Sequence, residues 1–221
     1  MTMPAEGTMA PDFTAQVDDG STLLHAGRIV PVYRAYDDIA HYVSISDSDR
    51  HPSLTYAATI HHGIDLTRFT FVPVPDDYLL FLGRIHPDKG ADLAIDVARR
   101  VGLPLVLAGI VQDEGYFRER IAPQLDGDRI RYVGAVGPQE RDDLLGGALA
   151  LLHLIRFAEP FGLSVVEALA TGTPVIAHPL GSLPELVQHG RTGFLVRSVD
   201  EAATAVGDAG RLHRRDCRAD V

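Results

Sequence analysis

Tyr78-Leu79-Leu80-Phe81-Leu82-Gly83-Arg84-Ile85-His86-Pro87-Asp88-Lys89-Gly90-Ala91-Asp92-Leu93-Ala94-Ile95-Asp96-Val97-Ala98-Arg99-Arg100-Val101 carries the fold in miniature. An apolar run ends at a glycine, a polar loop follows, and then Leu93, Val97 and Val101 recur four apart with Ala94 and Ala98 beside them. Asp92, Asp96, Arg99 and Arg100 take the opposite face, so the second half is an amphipathic helix. The same alternation continues outward: Pro104–Ile110, Ile130–Val136, Leu149–Ile155, Pro174–Ala177 and Gly193–Val196 read as further strands, with a helix in each interval and a sixth after the last. Strands that are apolar throughout and separated by helices predict a parallel sheet covered on both faces, an α/β, Rossmann-like fold. Ligands of such sheets lie beyond the carboxyl ends of the strands, which directs attention to the strand-to-helix loops.

Upstream the pattern is weaker. Residues before Arg28 show neither helical nor strand period and read as an irregular lead. Tyr42-Val43-Ser44-Ile45-Ser46 alternates as a short strand does, Asp47 to Pro52 reads as a turn, and Phe71-Val72-Pro73-Val74-Pro75 suits a stiff connector because its prolines resist helix and central strand.

With 221 residues, 46% of them hydrophobic, the chain can bury a substantial core. Thirty acidic against twenty basic residues give a formal charge of -10, which disfavours a nucleic-acid partner. The longest apolar stretch, Leu144 to Ile155, is too short to cross a bilayer, so no transmembrane helix is expected. One cysteine, Cys217, and no signal-like N-terminus predict a cytoplasmic setting. Lys89 is the only lysine, and asparagine and tryptophan are absent; in so biased a composition the surviving lysine suggests retention by chemistry.

Two loops hold the candidate chemistry. After the first strand of the regular region, Arg84 and Lys89 place two cations at a strand-to-helix turn, which suits a diphosphate; solvated loop charges are the plain alternative. Neither a Walker A order nor GxGxxG is present. In Ala158-Glu159-Pro160-Phe161-Gly162-Leu163-Ser164-Val165-Val166-Glu167-Ala168-Leu169 one glutamate lies in the loop and the other inside an otherwise apolar helix, where it needs a partner. Ser164, Glu167 and Thr171 fall on one polar stripe that could receive ribose hydroxyls, and the helix start offers free N–H groups to an anion. The structural alternative makes Glu159 an N-terminal cap and pairs Glu167 with an arginine. His61, His62 and His86 lack neighbours at metal-ligand spacing, so packing is the expected role and no metal is expected.

The Glu-x7-Glu segment, the Gly-Arg…Lys-Gly loop and Glu167-Ala168-Leu169-Ala170-Thr171-Gly172-Thr173-Pro174-Val175-Ile176-Ala177 together resemble glycosyltransferase family 4. Ile60-His61-His62-Gly63-Ile64-Asp65, Tyr132-Val133-Gly134, and Gly181-Ser182-Leu183-Pro184-Glu185 with Thr192-Gly193-Phe194-Leu195-Val196 do likewise, and the motifs cover roughly Tyr42 to Val196 in the family's order. The resemblance implies the C-terminal, donor-binding half of a two-domain (GT-B), retaining glycosyltransferase. It implies residues 1–72 as a remnant of the acceptor domain plus linker, and 73–221 as a nucleotide-sugar-binding domain lacking its final helices. By the same resemblance Arg84 and Lys89 neutralise the diphosphate, Glu167 accepts from ribose, and Glu159 holds hydroxyls of the transferred sugar as a positioning group at the reaction centre. Backbone of Phe161, Gly162 and Leu163 meets sugar and phosphate, and Val136 meets the base. UDP-, GDP- and ADP-linked donors all remain open, no cofactor is needed, and a second chain supplying the acceptor domain is one possible partner. His62 and His153 depart from the family pattern, as does Ile155-Arg156, which stands for a common proline–serine pair. Two other readings share the fold: a nucleotide-binding or interaction module without activity, and a nucleotide-sugar epimerase, which explains the glutamate spacing less well.

Overall fold

The computed structural model describes residues 30–221; the irregular lead expected before Arg28 lies outside them. A helical turn over residues 30–34 leads to a small parallel pair, β1 (Tyr42–Ser44) and β2 (Tyr56–Thr59). The main sheet contains β3 (Leu79–Leu82), β4 (Leu105–Ala108), β5 (Ile130–Gly134), β6 (Ala150–His153), β7 (Val175–Ala177) and β8 (Gly193–Leu195). All six expected strands are present, each trimmed by a residue or more at its ends, and all pair in parallel in the order β5-β4-β3-β6-β7-β8.

The helices are α1 (Ala91–Val101), α2 (Glu114–Tyr116, continued by a π turn and a 3-10 turn to Gln124), α3 (Pro138–Gly147), α4 (Leu163–Thr171), α5 (Leu183–Leu186), α6 (Val199–Ala209) and α7 (Arg214–Ala219). The strands alternate between two cores. Leu79, Phe81, Leu105, Leu107 and Leu152 join one face with Ala94, Ile95 and Ala98 of α1 and Ala202 and Val206 of α6. Leu80, Val106, Leu151 and Val175 join the other with Leu145 of α3, Val165 and Leu169 of α4 and Cys217 of α7. Burial on both faces is why period two vanishes from these strands and an unbroken apolar run replaces it. Truncating any of these leucines to alanine removes a well-packed side chain, a change that costs about 2–5 kcal/mol.

Beyond the short helical turns at 30–34 and Leu66–Arg68, β2 and α7 were not anticipated from sequence. β2 is only four residues long and half exposed, so it carries no clear alternation. Helix α7 is concealed because arginines replace apolar residues on its inner face. Arg214, 8% exposed, donates to the carbonyls of Val72, Gly146 and Ala148 and to Thr173 Oγ1, while Arg218 donates to the carbonyls of Phe69, Ala170 and Leu66. These bonds also hold the proline-rich stretch against the main body, where Val72 N–H donates to Thr171 O and Asp76 N–H to Gly147 O.

Strand order determines where a ligand fits. From β3 the chain moves outward through β4 to β5, then returns to the other side of β3 and moves outward again through β7 to β8. The loops leaving β3 and β6 therefore diverge to opposite faces, and a crevice opens between them at the carboxyl edge.

Candidate functional site

That crevice is a cleft of about 600 Å³. Arg84 and Lys89 reach it from the β3 loop, Val136 from beyond β5, His153 from the end of β6, and Glu159, Phe161, Gly162, Leu163, Ser164 and Glu167 from the β6 loop and α4. Every residue to which the family resemblance assigned a site role lines this one cavity. Another, of about 400 Å³, lies at the opposite edge of the sheet near Pro73, Leu149, Pro174 and Arg214 and includes none of them.

The Lys89 turn is pressed onto the end of β6. Gly90 has φ of 74°, and a Cβ there would stand 2.1 Å from Leu154 O, so only glycine permits the approach. Arg156, whose contacts the sequence left open, fastens the same turn: its N–H donates to Asp88 O at 2.8 Å and its guanidinium reaches Pro87 O and Asp92 Oδ2. Lys89 Nζ is thereby delivered 2.6 Å from Glu159 Oε2 and 4.5 Å from the centre of the Phe157 ring. Arg84 is exposed and bonds to Gln112 Oε1.

Glu159 is supported from beneath by the turn after β7. Ser182 N–H donates to Glu159 O at 2.9 Å, Ser182 Oγ donates to Phe161 O, and a Cβ on Gly181 would stand 2.2 Å from Glu159 O. The Gly181-Ser182 pair is thus a backbone platform for the first glutamate. The expected alternative, that Glu159 caps α4, is not found: Gly162 is the N-cap, with φ of 96°, and no side chain caps the helix. The start of α4 therefore faces the cleft with its N–H groups and positive dipole end unopposed by a capping side chain.

The carboxyl of Glu159 lies well below the usual range. Burial alone would raise it, but His153 and the Lys89 ammonium outweigh burial and hold it at about 2. Its side chain is 14% exposed and that of Lys89 15%. Glu167 differs. Burial pushes its pKa up, and Arg141 Nη1 at 3.2 Å opposes the rise without cancelling it. The arginine partner offered as the structural alternative for Glu167 thus exists, yet Arg141 itself lines the cleft, with 35% of its side chain exposed. Glu167 is paired and still faces the cavity.

One expectation is corrected. Thr171 does not continue the polar stripe into the cleft; it is wholly buried, donating to Ala168 O and meeting Thr173 Oγ1 next to the Arg214 network. The stripe is Ser164 and Glu167 only. By its last residue, Thr171, this nine-residue helix has entered the core.

Arg141 and His153 were missed as site residues. The need for a partner to Glu167 was readable, but not which of nineteen arginines supplies it, because α3 meets α4 only through tertiary packing. The upstream segment closes one wall. Ser46 Oγ donates to Pro160 O at 2.7 Å, Glu185 accepts from the N–H groups of Asp47 and Ser48 at 2.9 Å and meets His61 Nε2 at 3.1 Å, and His62 sets its edge on the Phe161 ring at 4.9 Å. His61 thus pairs with Glu185, while His62 packs on Phe161 and borders the cleft. Among the described residues no group of three or more His, Cys, Asp or Glu is gathered as a metal site would require, and no helix is long and apolar enough to cross a membrane.

Residues 66–209 match the family model described as "Glycosyl transferases group 1". The chain belongs to the group 1 glycosyltransferases. A D-inositol 3-phosphate glycosyltransferase of Streptomyces scabiei is 34% identical over 176 residues, 67% of this chain and 39% of that protein. Its counterpart in Streptomyces coelicolor is 28% identical over 253 residues, 90% of this chain and 53% of that protein. The chain thus spans about two-fifths to one-half of the curated relatives it matches. Among solved glycosyltransferases, AviGT4, involved in avilamycin A biosynthesis, is similar with 27% identity and a TM-score of 0.65, covering 80% of this chain and 60% of that one. Anabaena Alr3699/HepE, solved with UDP and glucose, superposes with a TM-score of 0.75 at 20% identity over 91% of this chain and 64% of that one, a likeness of fold. The six-stranded parallel sheet is the glycosyltransferase GT-B Rossmann-like half that the sequence predicted.

Proposed function

We propose that the chain forms the donor-binding half of a retaining family 4 glycosyltransferase, transferring a hexose from a nucleoside diphosphate. One observation carries this reading: two cations from the loop after β3 converge with an uncapped helix start and two glutamates from the β6 loop and α4 on one cleft at the switch point of the sheet. In this reading residues 73–221 are the donor domain, and residues 1–72 belong to the acceptor side and linker. An acceptor-binding half, from further sequence or a second chain, completes the cleft.

Departure of the nucleoside diphosphate leaves negative charge on the bridging phosphate oxygen. Arg84, Lys89 and the N-terminus of α4 stabilise that charge as fixed donors, so no metal is required. Lys89 retains donors for phosphate while bonded to Glu159, since an ammonium has three N–H groups. A carboxyl held at about 2 is ionised at neutral pH and cannot serve as a general acid. Glu159 instead accepts hydrogen bonds from sugar hydroxyls. Glu167, kept in the cleft by Arg141, accepts from the ribose, and Val136 borders the base. The UDP bound by the Anabaena protein supports a nucleotide in this cleft, with GDP and ADP still to be compared.

A thermal-shift panel of UDP, GDP, ADP and their glucose conjugates tests the reading. Ligand at about 100 times Kd adds ~2.7 kcal/mol, visible as several degrees. One nucleotide should stand out, with its shift reduced by Arg84→Ala and by Lys89→Ala. No shift with any of them overturns the proposal.

A further inference from the structure

Among the described residues, two buried side-chain nitrogens lack a hydrogen-bond partner: Arg141 Nε and His153 Nε2. Both residues line the donor cleft, and each adjoins one of the two glutamates. An orphaned polar group in a closed interior is costly, so a second state that satisfies it is favoured. For His153 the geometry identifies that state. Its side chain is 6% exposed, and Nε2 stands 3.7 Å from Glu159 Oε2, just beyond hydrogen-bond reach. The same oxygen is held at 2.6 Å by Lys89. One carboxylate oxygen thus lies between a near partner and a distant one.

We propose that His153 is a positioning residue that receives Glu159 when a diphosphate engages Lys89. The inference rests on the cleft being a nucleotide-sugar site. Phosphate oxygens compete for the ammonium, the Lys89–Glu159 contact lengthens, and the carboxylate closes the remaining gap to His153. An imidazole protonated on Nε2 donates to Oε2 without adding a charge. Burial favours that neutral ring by lowering the pKa of His153. Glu159 then keeps its orientation toward the sugar while Lys89 is occupied elsewhere. The sequence flagged His153 only as a departure at the end of β6; its place beside Glu159 gives that departure a use.

Calorimetric titration of wild-type chain, His153→Phe and His153→Gln with UDP, GDP and ADP, and with the glucose conjugate of each, tests the proposal. Phenylalanine keeps the ring and removes the donor; glutamine restores a donor. In His153→Phe the preferred nucleoside diphosphate should bind about tenfold more weakly, because Glu159 is left unpaired when Lys89 turns to phosphate. The sugar conjugate should lose less than threefold, since sugar hydroxyls also reach Glu159. His153→Gln should recover the diphosphate affinity to within threefold. Equal losses for both ligands, or no rescue by glutamine, overturn the proposal. Absence of binding by wild-type chain overturns the functional reading itself and is distinguishable from either result. Nitrogen-15 spectra of the wild-type imidazole give a readout without mutation: added diphosphate should yield an Nε2–H tautomer with its proton shifted downfield, and an unchanged His153 signal in the bound state counts against the hand-over.

Discussion

The two glutamates of the cleft lie eight positions apart in sequence and in opposite electrostatic states. Glu159 is held down, against burial, by His153 and by a short ion pair with a nearly buried Lys89; Glu167 is pushed up by burial that a half-open arginine only partly relieves. The difference comes from where their partners originate. Lys89 sits on a turn pinned by Gly90 and Arg156, whereas Arg141 reaches across from the surface of α3. The pinned Lys89 turn, with His153, leaves Glu159 an ionised acceptor at neutral pH. The more exposed Arg141 leaves Glu167 only partly compensated.

Removing the two cations gives the largest separation between these ends. Lys89→Met strands a nearly buried carboxylate and should cost roughly 3 kcal/mol of unfolding free energy at pH 7. Arg141→Met removes a screened partner and should cost under about 1 kcal/mol. Urea melts of the two variants check this, and equal losses would break the contrast.

Acid titration of stability comes next. The folded pKa of Glu159, about 2, lies below its unfolded value of 4.5, so its stabilisation is complete above pH 4.5 and disappears as pH falls toward 2. Glu159→Gln should flatten the profile of unfolding free energy against pH across that window by roughly 3 kcal/mol. Glu167 carries the opposite sign: its folded pKa is raised, so its contribution is present below pH 4.5 and lost as pH rises through the folded value. Glu167→Gln should therefore raise stability slightly at pH 7. A fall there would show that the Arg141 pair outweighs burial. The smallest effect belongs to Arg84, which is exposed and, among the described residues, bonded only to Gln112. Arg84→Ala should leave stability within about 0.5 kcal/mol while reducing the shift produced by nucleotide.

The sheet was legible because six apolar runs without period two can be buried only on both faces, and Leu79 and Leu80 pointing into separate cores show that logic at one step of chain. The loops were legible for the same reason, since a strand that ends at Gly83 commits Arg84 and Lys89 to the carboxyl edge. Pairing was not. Lys89 and Glu159 are 70 residues apart, and their contact depends on strand order, which no local pattern encodes. Helix α7 escaped notice because its inner face is made of arginines bonded to carbonyls, a polar face that a search for hydrophobic period passes over.

That helix bears on how the polypeptide matures. Arg214 donates to the carbonyl of Val72 across 142 positions of chain, and its guanidinium also bonds the carbonyls of Gly146 and Ala148. During synthesis those carbonyls emerge from the ribosome long before the arginine that satisfies them. Until it arrives, the loop after α3 and the proline stretch have hydrated ends, and the lower edge of the sheet stays open to water. The sequence separation of these bonds predicts that closure of that edge comes late in folding. Lysine at 214, a point charge without the planar fork, would not complete it.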